Sequence, residues 1–215
     1  MKTKKGLIIV ISGFSGAGKG TIVKHLLNNY KDDYNLSISA TTRAPRQGEK
    51  DGREYFFKTK EEFEDMITNG ELLEYANFNG NYYGTPKEYV RQMAEEGKNV
   101  ILEIEVQGAL QIKKIFPDAL LLFVSPPSGK ALKERLVGRG TENADAVADR
   151  LAISSRESFL MPQYDYIIIN DVVEKAVKRV HHIIKAENYR VSRNQETLSR
   201  IQQELKVFSK GESTK

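Results

Sequence analysis

The most chemically pointed stretch of the chain is Gly13-Phe14-Ser15-Gly16-Ala17-Gly18-Lys19, which fits G-x-x-x-x-G-K. Glycines at this spacing let successive backbone N–H groups turn inward around phosphate oxygens. A helix starting straight after them aims its positive end at the same anion. Lys19 is placed to meet the β- and γ-phosphates of a nucleoside triphosphate. The next position ordinarily carries Ser or Thr, whose hydroxyl holds Mg2+. Here it is Gly20, with Thr21 following. Mg2+ is expected because the nucleotide brings it. Either Thr21 takes part in holding it, or the ion is held through water and the phosphates.

A second group of residues has the chemistry of an acceptor site. It runs through Ser39-Ala40-Thr41-Thr42-Arg43-Ala44-Pro45-Arg46, Gly52-Arg53-Glu54-Tyr55-Phe56-Phe57, Leu73-Glu74-Tyr75-Ala76 and Gly80-Asn81-Tyr82-Tyr83-Gly84-Thr85. Arg43 and Arg46 offer two planar forks, each able to grip a phosphate dianion through paired bonds. Tyr55 and Tyr83 add hydroxyl donors. Glu74 is a carboxylate in an otherwise apolar and aromatic run. Guanine presents N1–H and its 2-amino group side by side, and one carboxylate accepts from both. Adenine has an acceptor where guanine has N1–H, so the same carboxylate rejects it. A hydroxyl such as Thr85 is suited to the O6 side. Singly, these residues read as surface arginines, hairpin aromatics and a solvated strand glutamate; the combination points to a nucleotide.

A third group, Arg135, Arg139 and Arg150, lies in a charged, glycine-containing stretch, about Ser128 to Ser155. Phosphoryl transfer spreads charge over the moving group's oxygens, and its catalysis is mostly positioning and electrostatic stabilisation. Arginines on a closing flap supply both and exclude water.

These groups need a scaffold to bring them together. Leu7 to Ile11 is a short, apolar, branched run of the kind that forms a central parallel strand, and Thr21 to Tyr30 shows helical spacing. Strand signals return at Asn99 to Glu105, Leu120 to Val124 and Tyr166 to Ile169. Helical patterns cover Lys87 to Glu96, Gln107 to Ile115, Lys130 to Val137 and Val172 to Tyr189. The alternation predicts an α/β phosphate-loop core with a mainly parallel sheet flanked by helices, formed by 1–36, 87–127 and 156–208. Residues 37–86 break the rhythm with short strand-like pieces and one helix near Glu61 to Asn69, and read as an inserted β-rich lobe. Residues 128–155 read as a mobile lid and 209–215 as a polar tail.

Composition narrows the class. The chain has 215 residues, no cysteine and 3 histidines, which excludes disulfides, thiolate metal sites and a cysteine nucleophile. With 33 basic and 29 acidic residues the net charge is +4, suited to phosphate-bearing partners but too small to choose among them. No signal segment or membrane span is evident, so a soluble, cytoplasmic protein is expected. The sequence leaves monomer and homodimer both open.

With these motifs in hand the chain resembles the guanylate kinases, from about Leu7 to about Tyr189. The T-T-R-x-P-R stretch at Thr41, the G-N-Y-Y-G-T stretch at Gly80 and the G-R-G-T stretch at Gly138 carry the resemblance together with the phosphate loop. It implies an ATP:GMP phosphotransferase that uses Mg2+ and extends to dGMP. The residues from Gly13 to Thr21, with Arg135, Arg139 and Asn170, then match the ATP side. Ser39, Arg43, Arg46, Tyr55 and Tyr83 match ligands of the GMP phosphate, and Glu74, Thr85 and Glu105 match guanine readers. Lys19, Arg43, Arg135, Arg139 and Arg150 match the catalytic set. The family's frequent Asp-x-Asp is Glu103-Ile104-Glu105 here, which moves the carboxylate by one methylene.

Rival readings meet specific obstacles. A guanylate-kinase-like binding module without catalysis would not need the intact loop and Lys19. Glu74 and Thr85 argue against a kinase of adenine monophosphates. A regulatory GTPase would want an Asn-Lys-x-Asp stretch, which is missing; no stacking motif supports a nucleic-acid partner, and no apolar span supports a membrane one.

Overall fold

A computed structural model describes residues 5–78, 80–138 and 144–208. The chain runs β1 (Ile8–Gly13), α1 (Lys19–Asn29), β2 (Tyr34–Leu36), β3 (Ala40–Thr41), β4 (Phe56–Phe57), α2 (Lys60–Thr68), β5 (Leu72–Phe78), β6 (Asn81–Pro86) and α3 (Lys87–Glu95). It continues through β7 (Asn99–Glu103), α4 (Val106–Ile115), β8 (Leu120–Ser125), α5 (Gly129–Val137), α6 (Ala144–Ser158), β9 (Tyr166–Ile169), α7 (Val173–Glu187) and α8 (Gln195–Lys206).

Strands β2, β7, β1, β8 and β9 form, in that spatial order, one all-parallel sheet. The apolar run of β1 is buried on both faces, as a central parallel strand must be. Ile9 and Ile11 pack with Ile22 and Leu26 of α1 and Val177, Val180 and Ile184 of α7. Ile8 and Val10 point the other way, into a cluster with Val90 and Ala94 of α3 and Ala109 and Ile112 of α4. Each fully buried branched side chain contributes roughly 1.5–3 kcal/mol, so the two-faced strand anchors the domain.

Strands β4, β3, β6 and β5 form a second, mixed sheet. The β3–β6 and β5–β6 pairs are antiparallel, while β3 and β4 are parallel. Helix α2 begins one residue earlier than the sequence pattern suggests. The cause is a capping box: Thr59 Oγ1 accepts from Glu62 N at 3.1 Å, and Glu62 Oε2 accepts from Thr59 N at 2.7 Å.

The structure differs from the sequence expectation in several elements. Lys130 to Val137 forms α5 as its spacing predicts, but the rest of the stretch to Ser155, which reads as irregular, holds most of the fifteen-residue α6. Helix α6 buries only Val147 and Ser154, so it carries too thin an apolar stripe to stand out by periodicity. Strands β2 and β3 are three and two residues long, below the length at which alternation is visible. Helix α8 has no counterpart among the expected helices; none of its residues is buried. Arg139, Gly140, Thr141 and the tail from Ser209 lie outside the described residues.

Because the large sheet is parallel, the segments after β1, β7, β8 and β9 all emerge at one edge. Those segments hold the phosphate loop, Glu105, the start of α5, and Asn170.

Candidate active site

The loop after β1 folds as its glycines require. Gly13 has φ +142°, and a Cβ there would collide with the Val124 carbonyl of β8. Gly18 has φ +92°, and its missing Cβ would sit 2.5 Å from Asn170 Nδ2. Phe14 fastens the loop to the core by an edge-on contact with Phe123, ring centroids 4.9 Å apart. Helix α1 starts with no side-chain cap, so its first-turn N–H groups are available to an anion. Lys19 Nζ donates to the carbonyls of Gly13 at 2.7 Å and Phe14 at 3.3 Å, and lies 3.8 Å from Glu105 Oε2.

Two of the side chains expected in the lid, Arg135 and Arg150, bind the loop directly. Arg135 donates to Ala17 O at 3.2 Å and Asn170 O at 2.7 Å. Asn170 is buried and donates from Nδ2 to Ala17 O at 2.8 Å, while its Oδ1 has no partner among the described residues. Arg150 donates to Ser15 Oγ at 2.8 Å. Gly16, Gly18, Thr21, Arg135, Gly138, Asn170 and Val173 line one pocket beside the loop. Thr21 therefore faces that pocket, on the Asn170 side of α1.

A second cavity, of about 280 Å3, lies between the two sheets. Ser39, Tyr55, Glu74, Ala76, Tyr83, Gly84, Glu103, Ile104, Glu105 and Gly108 line it. Glu74 and Thr85 are both buried, and Thr85 Oγ1 donates to Glu74 Oε1 at 2.6 Å. Withdrawal from water pushes the Glu74 carboxyl above its ordinary range, and the charge of Glu105 adds to this, while the Thr85 bonds oppose it. The cavity has a seat for this carboxylate. Gly108, in the first turn of α4, would carry a Cβ 2.5 Å from Glu74 Oε2. A glycine inside an apolar helical stretch is the sequence signal for such a close approach, and Gly108 is absent from the sequence candidates.

Beside the cavity, Arg43 is held over the rings of Tyr55, 5.4 Å from the centroid, and Phe57, 5.9 Å away. Tyr55 and Tyr83 meet edge to face at 6.0 Å. Arg43 Nη2 donates to both carboxylate oxygens of Glu49 at 3.0 Å. Burial works against the Arg43 charge, but Glu49, with Tyr83, outweighs it and raises the guanidinium pKa. The Arg46 side chain is exposed, and its backbone N–H donates to Glu49 Oε2 at 2.7 Å. Glu49 sits in the polar turn Gln47-Gly48-Glu49-Lys50 and carries no signal in the sequence.

Between cavity and phosphate loop stand three carboxylates, Glu103, Glu105 and Glu157. Gly20 abuts Glu103: a Cβ on Gly20 would lie 3.2 Å from Glu103 Oε1. Glu103 is open to solvent, yet partial withdrawal from water raises its carboxyl pKa, with Lys19 opposing and Glu105 adding. Glu157, at the end of α6, is half-buried. Loss of water, then the Glu105 charge, pushes its carboxyl up to about 7, against the pull of Lys19. Glu157 comes to the site only through the packing of α6 and is not among the sequence candidates.

The arrangement joins an anion-binding loop to a base-sized cavity through Glu105, which lines the cavity and pairs with Lys19. A family model for guanylate kinase matches residues 5–187. The guanylate kinase of Bacillus anthracis is 52% identical over 193 residues, covering 90% of this chain and 94% of that one. That of Lactococcus lactis subsp. lactis is 50% identical over 204 residues, covering 95% and 99%. The crystal structure of guanylate kinase from Anaplasma phagocytophilum superposes with a TM-score of 0.73 at 31% identity, covering 92% of this chain and 95% of that chain. The matched span takes in the phosphate loop, both sheets and the cavity between them, and the chain belongs to the guanylate kinase family.

Proposed function

We propose that this chain transfers the γ-phosphoryl group of ATP to GMP, giving ADP and GDP, and so serves guanine nucleotide recycling and synthesis. The single observation that carries the reading is the placement of the Glu74 cavity against the phosphate loop, with Glu105 common to both.

In this reading the N–H groups of the loop and of α1 cradle the ATP phosphates. Lys19 exchanges its bonds to Gly13 and Phe14 for the β- and γ-phosphate oxygens. Arg135 and Arg150, already on the loop, and Arg139 add positive charge around the transferred group. GMP places its base on Glu74 and its phosphate on Arg43, Arg46, Tyr55 and Tyr83. An oxygen of the GMP phosphate forms a bond to the γ-phosphorus while the bond from that phosphorus to the β-phosphate oxygen breaks, and ADP leaves. The attacking oxygen is already ionised near neutral pH, so no general base is required.

Thr85 gives its one proton to Glu74. What it offers the base is then a lone pair, suited to the 2-amino group rather than to O6. The hydroxyl of Ser39, lining the same cavity, is the donor left for O6. None of these contacts needs the ribose 2′-hydroxyl, so dGMP is expected to serve as well.

Glu103 fits Mg2+ because its carboxylate supplies hard oxygen atoms beside Gly20, which has none, whereas Thr21 faces the pocket on the Asn170 side. When bound, Mg2+ neutralises charge on the β- and γ-phosphates. ATP and GMP as substrates point to the cytoplasm, and no helix among the described residues is long and apolar enough to cross a membrane.

A coupled assay of ADP release with GMP, dGMP, AMP, CMP and UMP as acceptors tests the reading. Rapid turnover is expected with GMP and dGMP alone. Comparable rates with AMP would defeat it.

A further inference from the structure

Glu49 makes three contacts that converge on the proposed grip for the acceptor phosphate. Its two oxygens accept from Arg43 Nη2, both at 3.0 Å, and Oε2 also accepts the Arg46 backbone N–H at 2.7 Å. The Arg43 and Glu49 side chains are only 15% and 18% exposed. Arg43 Nη1 is tied to Ala44 O at 2.7 Å, and the guanidinium carbon lies over Tyr55. Gly48 has φ +87°, the left-handed turn that brings Glu49 back toward Arg43. Two of the phosphate-binding positions thus hang on one carboxylate, which is itself fixed by a backbone bond. The Arg46 amide first, and Arg43 after it, hold the Glu49 carboxyl below the usual range, so it stays charged near neutral pH.

We propose that Glu49 is a positioning residue for the acceptor phosphate: it fixes the plane of the Arg43 guanidinium and the turn carrying Arg46, so that both are set before GMP arrives. An arginine side chain ordered in advance loses less freedom on binding, which is the gain expected from preorganisation. The opposite arrangement, in which Glu49 only occupies the phosphate seat and competes with GMP, predicts an effect of opposite sign. The inference rests on Arg43 being a ligand of the GMP phosphate.

The test is a double-mutant cycle on the full chain with Glu49→Gln, Arg43→Ala and both together. GMP binding is measured by calorimetry without ATP, and KM for GMP and for ATP by coupled assay. Glu49→Gln is expected to raise the GMP Kd and KM about tenfold, the worth of one charge-assisted hydrogen bond, with kcat and the ATP KM within about twofold. In the Arg43→Ala background the same change is expected to add less than about twofold. Glu49→Asp, which keeps the charge, is expected to recover part of the loss. Unchanged or tighter GMP binding in Glu49→Gln overturns the proposal. So does an equal loss with Arg43 already removed, or a loss shared by ATP. If Arg43→Ala itself leaves the GMP KM unchanged, the phosphate-grip reading beneath the proposal fails instead.

Discussion

Thr85 Oγ1 lies 2.6 Å from Glu74 Oε1, and Gly108 leaves room for the other oxygen of the same carboxylate. One side of Glu74 is held by a donor and the other by an absence of side chain. A buried carboxylate costs free energy unless its hydrogen bonds are met. In the proposed function guanine, with two adjacent donors, is the group that meets them.

Gly108→Ala tests that fit without touching a polar group. The added methyl would press on Glu74 Oε2 at 2.5 Å. Alanine is a good helix former, so α4 and the thermal melting point should hold. The GMP KM should rise at least tenfold with the ATP KM unchanged, as steady-state titration of each substrate would show.

Lys19→Met keeps the length of the side chain and removes its charge. It should fold normally by circular dichroism. Its kcat should drop about 10²–10³-fold, the scale of losing one preorganised donor to a developing charge, with a small change in GMP KM.

Gly20 and Glu103 form a complementary pair, a missing side chain beside a long one. Gly20→Ala would set its Cβ 3.2 Å from Glu103 Oε1 and displace that carboxylate. The Mg2+ concentration for half-maximal rate should therefore rise. Adding Glu103→Asp, one methylene shorter, should bring it back toward the starting value. If the double variant is worse than Gly20→Ala, the two positions do not compensate.

The Glu157 carboxyl, pushed up to about 7, links stability to pH. The folded state holds this proton more tightly than the unfolded chain does. The stability it confers is complete below about pH 4.5 and is lost as pH rises through about 7. Between about pH 5 and 8.5 the melting temperature of the free protein should fall more than that of Glu157→Gln, and parallel slopes in calorimetry would contradict the assignment.

The parts of this architecture legible in the sequence are those with local signatures. The branched run of β1, the glycines after it and the spacing of α7 each carry their own pattern. Helix α6 does not, because it buries only Val147 and Ser154. Gly108 and Glu49 are illegible for a different reason. The role of Gly108 exists only through Glu74, which lies far earlier in the chain, and Glu49 reads as one charge in a polar turn until Arg43 is seen across from it. Motif and periodicity locate loops and strands; contacts that the fold creates between distant positions leave little trace in either.

The central claim is that Glu74 reads the base while Arg43 grips the phosphate, and the ratio of kcat/KM for GMP to that for AMP tests it most directly. Glu74→Gln keeps the size of the side chain but turns a donor toward a guanine donor. At about 1.5–3 kcal/mol for a hydrogen bond to a charged group, the GMP KM should rise about 10- to 150-fold and the preference for GMP over AMP should collapse accordingly, with the ATP KM nearly unchanged. Arg43→Ala should weaken both monophosphates alike and leave the ratio standing. A Glu74→Gln enzyme that keeps its full preference for GMP would contradict the account, and guanine would then be read elsewhere in the cavity.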